Sequence, residues 1–183
     1  MPQSKSRSLG RVRTRFFHSK GKPFPLRCGA SLDGFTLAYE TYGKLNASRS
    51  NAILVFHAMT GSQHAAGINT SVPGLDGRWT EDMHVGWWED FIGPGKALDT
   101  RKFFVICANY LGGCYGSTGP VSKKGNGHWG MDFPVIRVAD IVDSQIKLLD
   151  HLGINVLHAA IGASIGGYLC LSLATRHPDR VKI

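Results

Sequence analysis

The sequence predicts an α/β fold with a mostly parallel sheet flanked by helices, and three observations carry that prediction. Three apolar runs of strand length, at 53–58, 103–108 and 156–161, have the unbroken hydrophobicity of strands buried on both faces. Between the second and third runs, Val138, Val142, Ile146, Leu149 and Leu152 recur at three- and four-residue intervals, the stripe of an amphipathic helix. The third run enters Gly162-Ala163-Ser164-Ile165-Gly166, a G-x-S-x-G turn. A second helix is expected from Ile165 to about His177, stopped by Pro178. Strands alternating with helices in this way form a parallel sheet.

The elements follow in order. Residues 1–22 hold seven Lys and Arg and no acid. Residues 23–183 hold 14 basic and 13 acidic residues, so the net charge of +8 sits almost wholly in the first 22. That stretch is expected to be a disordered, solvated tail. An organelle leader and a nucleic-acid-binding arm are the alternatives. The adopted reading has no nucleic-acid partner. Residues 24–28 and 35–42 flank Asp33-Gly34 and are expected to pair as a hairpin.

Residues 44–51 are polar and read as a loop. Residues 60–100 are rich in Gly and Pro and hold three of the four tryptophans, the pattern of a functional loop or of short helices. Residues 110–130 are again Gly-rich. Pro134 marks a helix start and Gly153 a helix stop. Val181-Lys182-Ile183 reads as the opening of another strand.

With 43% hydrophobic and 19% charged residues, 183 residues suffice for one core, and a soluble protein is expected. No apolar run approaches the roughly 18 residues of a membrane span, so no membrane partner is expected. Cys28, Cys107, Cys114 and Cys170 form no C-x-x-C pair, and no Cys/His cluster has zinc spacing. Reduced thiols, a cytoplasmic location and no metal are expected.

The chemistry concentrates at 162–166. A strand that turns sharply into a helix with Ser at its apex is the nucleophile elbow of α/β-hydrolase-type enzymes. Gly162 and Gly166 leave room for the crossing backbones, and Gly167 is expected to ease packing further. Ser164 is the expected nucleophile. The helix N-terminus behind it favours negative charge. Acyl transfer also needs an oxyanion hole. One donor is the backbone N–H after the nucleophile, that of Ile165. The second comes from the loop after an earlier strand, and His57-Ala58-Met59-Thr60-Gly61 points to the Met59 N–H. Each such donor is worth about 3 kcal/mol in the transition state.

Histidines do not complete the set. His177 lies thirteen residues past Ser164 on one helix, about 20 Å away at 1.5 Å per residue, and Asp179 fails likewise. His57 is expected to brace the oxyanion loop rather than act as base. His64, His84 and His128 are expected at the surface or in the substrate cleft. Trp79, Trp87 and Trp88 are expected to pack on the core rather than line a cleft. Enzymes with this elbow take their acid and base later in the chain, yet only nineteen residues follow Ser164.

Longer blocks carry a resemblance. G-K-L-N at 43–46, H-A-M-T-G at 57–61 and G-W-W-E-D-F-I-G-P-G-K at 86–96 resemble the homoserine O-acetyltransferase family. So do N-Y-L-G-G-C-Y-G-S-T-G-P at 109–120, D-F-P at 132–134 and the elbow with 168–180. Together they span about residues 35–183. The chain departs from the family elbow, G-G-S-M-G-G, at Ala163 and Ile165, and the stretch 122–130 also differs.

The resemblance implies an α/β-hydrolase fold and transfer of an acetyl group from acetyl-CoA to the hydroxyl of L-homoserine, in methionine biosynthesis. The family nucleophile falls on Ser164 and its oxyanion donors on Met59 and Ile165. The resemblance further implies a homodimer. The family's Asp, His, substrate-carboxylate Arg and lid fall past residue 183. Residues 23–183 are accordingly expected to be the N-terminal part of the catalytic domain, cut after the elbow helix and inactive alone. Succinyl transfer, serine as acceptor, an esterase of the same fold and a non-catalytic short product are the alternatives.

Overall fold

The computed structural model describes residues 8–75 and 77–183. Five strands form the main sheet: β1 (Arg15–His18), β2 (Thr36–Tyr42), β3 (Ala52–Phe56), β4 (Phe104–Ala108) and β5 (Ala159–Gly162). Their spatial order is β1-β2-β4-β3-β5. β4, β3 and β5 run parallel, while β2 is antiparallel to both β4 and β1. Two helices complete the frame, α1 (Val138–His151) and α2 (Ile165–Arg176). The three apolar runs thus become the parallel strands, with limits within three residues of those expected.

Alternation along the strands divides the core in two. Leu54, Phe56, Ile106 and Ala108 face α1 and α2 and pack with Leu148, Leu149, Leu169 and Leu173. Ile53, Val55, Val105 and Cys107 face the opposite side and pack with Ala65, Ala66, Ile92 and Leu98 from the 60–100 segment. That segment takes the place of a helical layer on its face. Among its described residues it holds one 3₁₀ turn, Glu81–Met83, and a two-residue parallel pair, Ile92–Gly93 with Leu98–Asp99. Burying one Leu, Ile or Val side chain fully is worth about 1.5–3 kcal/mol, so an irregular segment that buries Ile92 and Leu98, with Ala65 and Ala66 beside them, can hold its face.

Two expectations are corrected. The basic tail is not disordered throughout, because residues 15–18 form edge strand β1, with Phe17 opposite Leu37. Charge count alone misses the apolar pair inside the tail. Phe17 is buried and meets Phe35 edge-on at 6.0 Å, and Val12 N–H bonds Ile68 O at 3.0 Å. Residues 1–7 lie outside the described residues. The hairpin is also different. Phe24–Pro25 pairs with Ser31–Leu32 through a turn containing Gly29 at φ 90°, and β2 takes β1 as its neighbour instead.

α1 begins four residues later than Pro134 predicts. The buried Asp140 carboxylate accepts the N–H of Arg137 at 2.8 Å and of Arg27 at 2.9 Å, which sets the helix start and ties the 24–32 ribbon to it. Gly153, at φ 68°, ends the helix. After α2 the chain returns to the sheet, where Val181 bridges Leu157 in parallel and Ala160 N–H bonds Ile183 O at 2.8 Å.

Candidate active site

The site forms where β3 and β5 end side by side. β5 turns into α2 through Ser164, which is exposed and held at φ 58°, ψ −128°. A non-glycine residue in this region carries strain of order 1–3 kcal/mol, which the surrounding packing must impose. The packing is visible at the two glycines. A Cβ on Gly162 would lie 2.4 Å from Gly166 O, and one on Gly166 would lie 2.4 Å from Phe56 O. α2 therefore starts against the C-terminal end of β3, and residues 57–59 are brought beside residues 164–165. Gly167 has no such need, since a Cβ there would meet Gly162 O at an ordinary 3.8 Å. The expectation that Gly167 eases packing is not required by the contacts.

Met59 and Ile165 line one cavity of about 400 Å³ together with His57, Asn109, Tyr115 and Ile141. Neither the Met59 N–H nor the Ile165 N–H donates to a protein acceptor among the described residues. Both sequence-predicted donors are thus brought to the same cavity next to Ser164, and both are available to an incoming oxygen. Met59 itself is 70% exposed, so its side chain imposes little on the turn.

His57 forms the floor. Its ring stacks on Tyr110 at 3.8 Å and 14°, and its Nδ1–H donates to Ala58 O at 2.7 Å. Burial pushes the imidazole down to about 4 despite the Ala58 bond, so the ring is neutral at pH 7. Its carbonyl accepts the Tyr110 hydroxyl. Among the described residues, His57 Nε2 and Asn109 Nδ2 have no protein partner, although both are buried and both residues line the cavity. The neutral ring offers an acceptor and the amide a donor.

The other histidines stand apart. His177 caps α2 and bonds Asp143 at 2.8 Å. His128 is exposed. His64 corrects the expectation of a surface or cleft residue, because it is 1% exposed, on the inner side of the 60–100 segment to which it belongs. Its Nδ1 lies 2.8 Å from Glu40 Oε2 and its Nε2 3.1 Å from His84 O. This carboxylate–imidazole pair has the composition of a catalytic acid–base couple, but the nitrogen a base would present is occupied by a carbonyl. Trp79 and Trp87 anchor the same segment through indole N–H bonds to Asn69 O (2.8 Å) and Ser62 O (3.0 Å). Trp88 packs on the core, and no tryptophan lines the cavity.

Sequence reasoning missed Glu40, which is fully buried and accepts from Thr14 and Asn69 at Oε1 and from Tyr42 and His64 at Oε2. A lone acid inside the strand T-L-A-Y-E-T-Y was the available signal. Among the described residues, no three His, Cys, Asp or Glu are grouped to hold a metal ion. Among the described residues, no helix is long and apolar enough to cross a membrane.

Comparison with known proteins shows what the chain is similar to. Over 176 residues the chain is 50% identical to a homoserine O-succinyltransferase of Azoarcus sp. (strain BH72), covering 95% of this chain and 44% of that protein. Over 180 residues it is 49% identical to a homoserine O-acetyltransferase of Methanobrevibacter ruminantium, covering 97% and 34%. The chain therefore spans less than half the length of these relatives. Among solved structures, homoserine O-acetyltransferase from Bacillus anthracis superposes with a TM-score of 0.77 at 35% identity, covering 93% of this chain and 45% of that one. Esterase E22 superposes with a TM-score of 0.79 at 35% identity, covering 93% and 46%. Residues 51–182 match the family described as alpha/beta hydrolase fold. With its elbow at Ser164 and its parallel strands in the matched span, the chain belongs to the alpha/beta hydrolase fold family.

Proposed function

We propose that this chain carries the nucleophile and oxyanion hole of a homoserine O-acyltransferase, with acetyl-CoA as the acyl donor and L-homoserine as the acceptor. The observation that carries the reading is the strained Ser164 at the β5–α2 apex, beside a cavity lined by Met59 and Ile165 with free N–H groups. The likeness to homoserine acyltransferases along almost the whole chain supports the choice of acceptor. Ser164 Oγ attacks the thioester carbonyl, and the oxyanion is held by the Met59 and Ile165 N–H groups. The C–S bond breaks, CoA leaves as the thiol with the serine proton, and an acyl-serine remains. The homoserine hydroxyl then attacks, forms the ester and returns the proton to Ser164. The relatives extend over more than twice this length, and the proposal assigns the base and its carboxylate partner to the remaining length. Cytoplasmic methionine biosynthesis and a homodimer belong to the same proposal.

The test is mass spectrometry of the full polypeptide after mixing with each acyl-CoA in the absence of homoserine. A gain of one acetyl group on Ser164, discharged on adding homoserine, is the expected result. A gain only from succinyl-CoA moves the donor to succinyl. Full turnover in Ser164→Ala would falsify the reading. A second reading, ester hydrolysis, is favoured by the likeness to esterase E22. It predicts that water discharges the acyl-serine as fast without homoserine as with it.

A further inference from the structure

The segment that carries Met59 is anchored at two ends. At the near end, His57 O accepts the Tyr110 hydroxyl. At the far end, Ser62 O accepts the Trp87 indole N–H, and the N–H groups of Ala65 and Ala66 converge on a single hydroxyl, that of Tyr42 in β2. Between the anchors, the turn is closed by one bond, Gly61 N–H to Ala58 O at 2.9 Å.

The Tyr42 hydroxyl is fully engaged. It donates to Glu40 Oε2 at 2.9 Å and accepts from the N–H groups of Ala65 (2.7 Å) and Ala66 (3.2 Å). A phenol has one hydrogen, so the direction in which it points decides what the oxygen can accept. Glu40, an acceptor held by four donors, takes that hydrogen and leaves the lone pairs to the two backbone N–H groups. Burial first, and the Glu40 charge second, push the Tyr42 phenol well above its ordinary value, so it remains a hydroxyl.

We propose that Tyr42, oriented by Glu40, is a positioning residue for acyl transfer, holding residues 65 and 66 so that the Met59 N–H faces the developing oxyanion. The inference rests on the assignment of Met59 as an oxyanion donor. Tyr42 reaches the reaction only through the backbone, and small displacements of an oxyanion donor are costly to rate while leaving ground-state binding nearly unchanged.

The test is a double-mutant cycle in the full polypeptide, combining Tyr42→Phe with Met59→Pro, which deletes the N–H. The readouts are the first-turnover release of CoA thiol, KM for the acyl donor and the thermal midpoint. Tyr42→Phe is expected to slow acylation about tenfold to a hundredfold, with KM within about twofold. In the Met59→Pro background the same substitution is expected to add less than about threefold, because the donor it positions is gone. Glu40→Gln, nearly the same shape, is expected to show the same pattern more weakly.

Independent, multiplying effects of Tyr42→Phe and Met59→Pro would overturn the inference, as would an unchanged acylation rate. So would loss of a cooperative thermal transition in both Tyr42→Phe and Glu40→Gln, since the network would then be scaffold only. Ser164→Ala is measured alongside. If it retains turnover, the proposed function has failed, whatever the Tyr42 cycle gives.

Discussion

Gly166 lies against the carbonyl of Phe56 so closely that a Cβ on it would come within 2.4 Å of that oxygen. Two elements 110 residues apart in sequence are thereby locked together, and the lock sits directly behind Ser164. Gly166→Ala must push α2 away from β3. It is expected to destabilise the protein by about 1–3 kcal/mol and to slow acylation. Gly167→Ala, whose Cβ would meet nothing closer than 3.8 Å, is expected to be neutral or stabilising by up to about 1 kcal/mol through helix propensity. Thermal denaturation of the two variants side by side checks the contrast.

Ser164 stores backbone strain that glycine would not. At φ 58°, Ser164→Gly is expected to be more stable than Ser164→Ala by about 1 kcal/mol, although both remove the proposed nucleophile. Equal thermal midpoints for the two variants would mean that the elbow is not held under strain.

His57 predicts a pH dependence of stability. The folded ring takes up its proton near pH 4, whereas the ordinary value is 6.5. Between those values the unfolded chain holds more protons, so stability rises with pH. The contribution is complete above about pH 6.5 and is lost as the pH falls toward 4, on the order of 3 kcal/mol in all. His57→Phe keeps an aromatic ring over Tyr110 and removes the titration. Its thermal midpoint is expected to lack the wild-type slope between pH 4 and 6.5.

Asp143 joins three elements, accepting from Arg27 at 3.0 Å, Arg176 at 2.7 Å and His177 at 2.8 Å. Partial burial alone would raise its carboxyl, but the bonds from Arg176, His177 and Arg27 outweigh burial and hold it below the usual range. Its stabilisation is therefore present above the ordinary carboxylate value and is lost as pH falls through the lower folded one. Asp143→Asn is expected to cost about 1 kcal/mol at neutral pH and little once the wild-type carboxyl is protonated. Urea unfolding at the two extremes measures the difference.

The parallel strands, both helices and the elbow could be read from the chain because each is a local pattern. Continuous apolar runs, a helical stripe at 138–152 and glycines on either side of Ser164 are statements about neighbours in sequence. That Met59 and Ile165 meet at one cavity could be expected for the same reason, since they follow the ends of two adjacent strands. The 60–100 segment resisted reading because its conformation is set by contacts across the chain. Tyr42 holds Ala65 and Ala66, Asn69 reaches Glu40, and Trp87 donates to Ser62. The tail misled for a related reason. Phe17 counts for little in a composition, but a strand edge at Leu37 gives it a place to be buried.

Chain order alone was enough to specify the α/β alternation and the serine at a strand-to-helix turn, since backbone sterics and hydrophobic period act over a few residues. Tertiary packing alone decided the rest. It placed β2 between β1 and β4, brought the end of β3 against α2, and buried Glu40 and His64 under an irregular layer. It also left His57 neutral beneath the cavity. Those outcomes depend on which distant surfaces meet and exclude water, and burial is the quantity that a linear pattern does not contain.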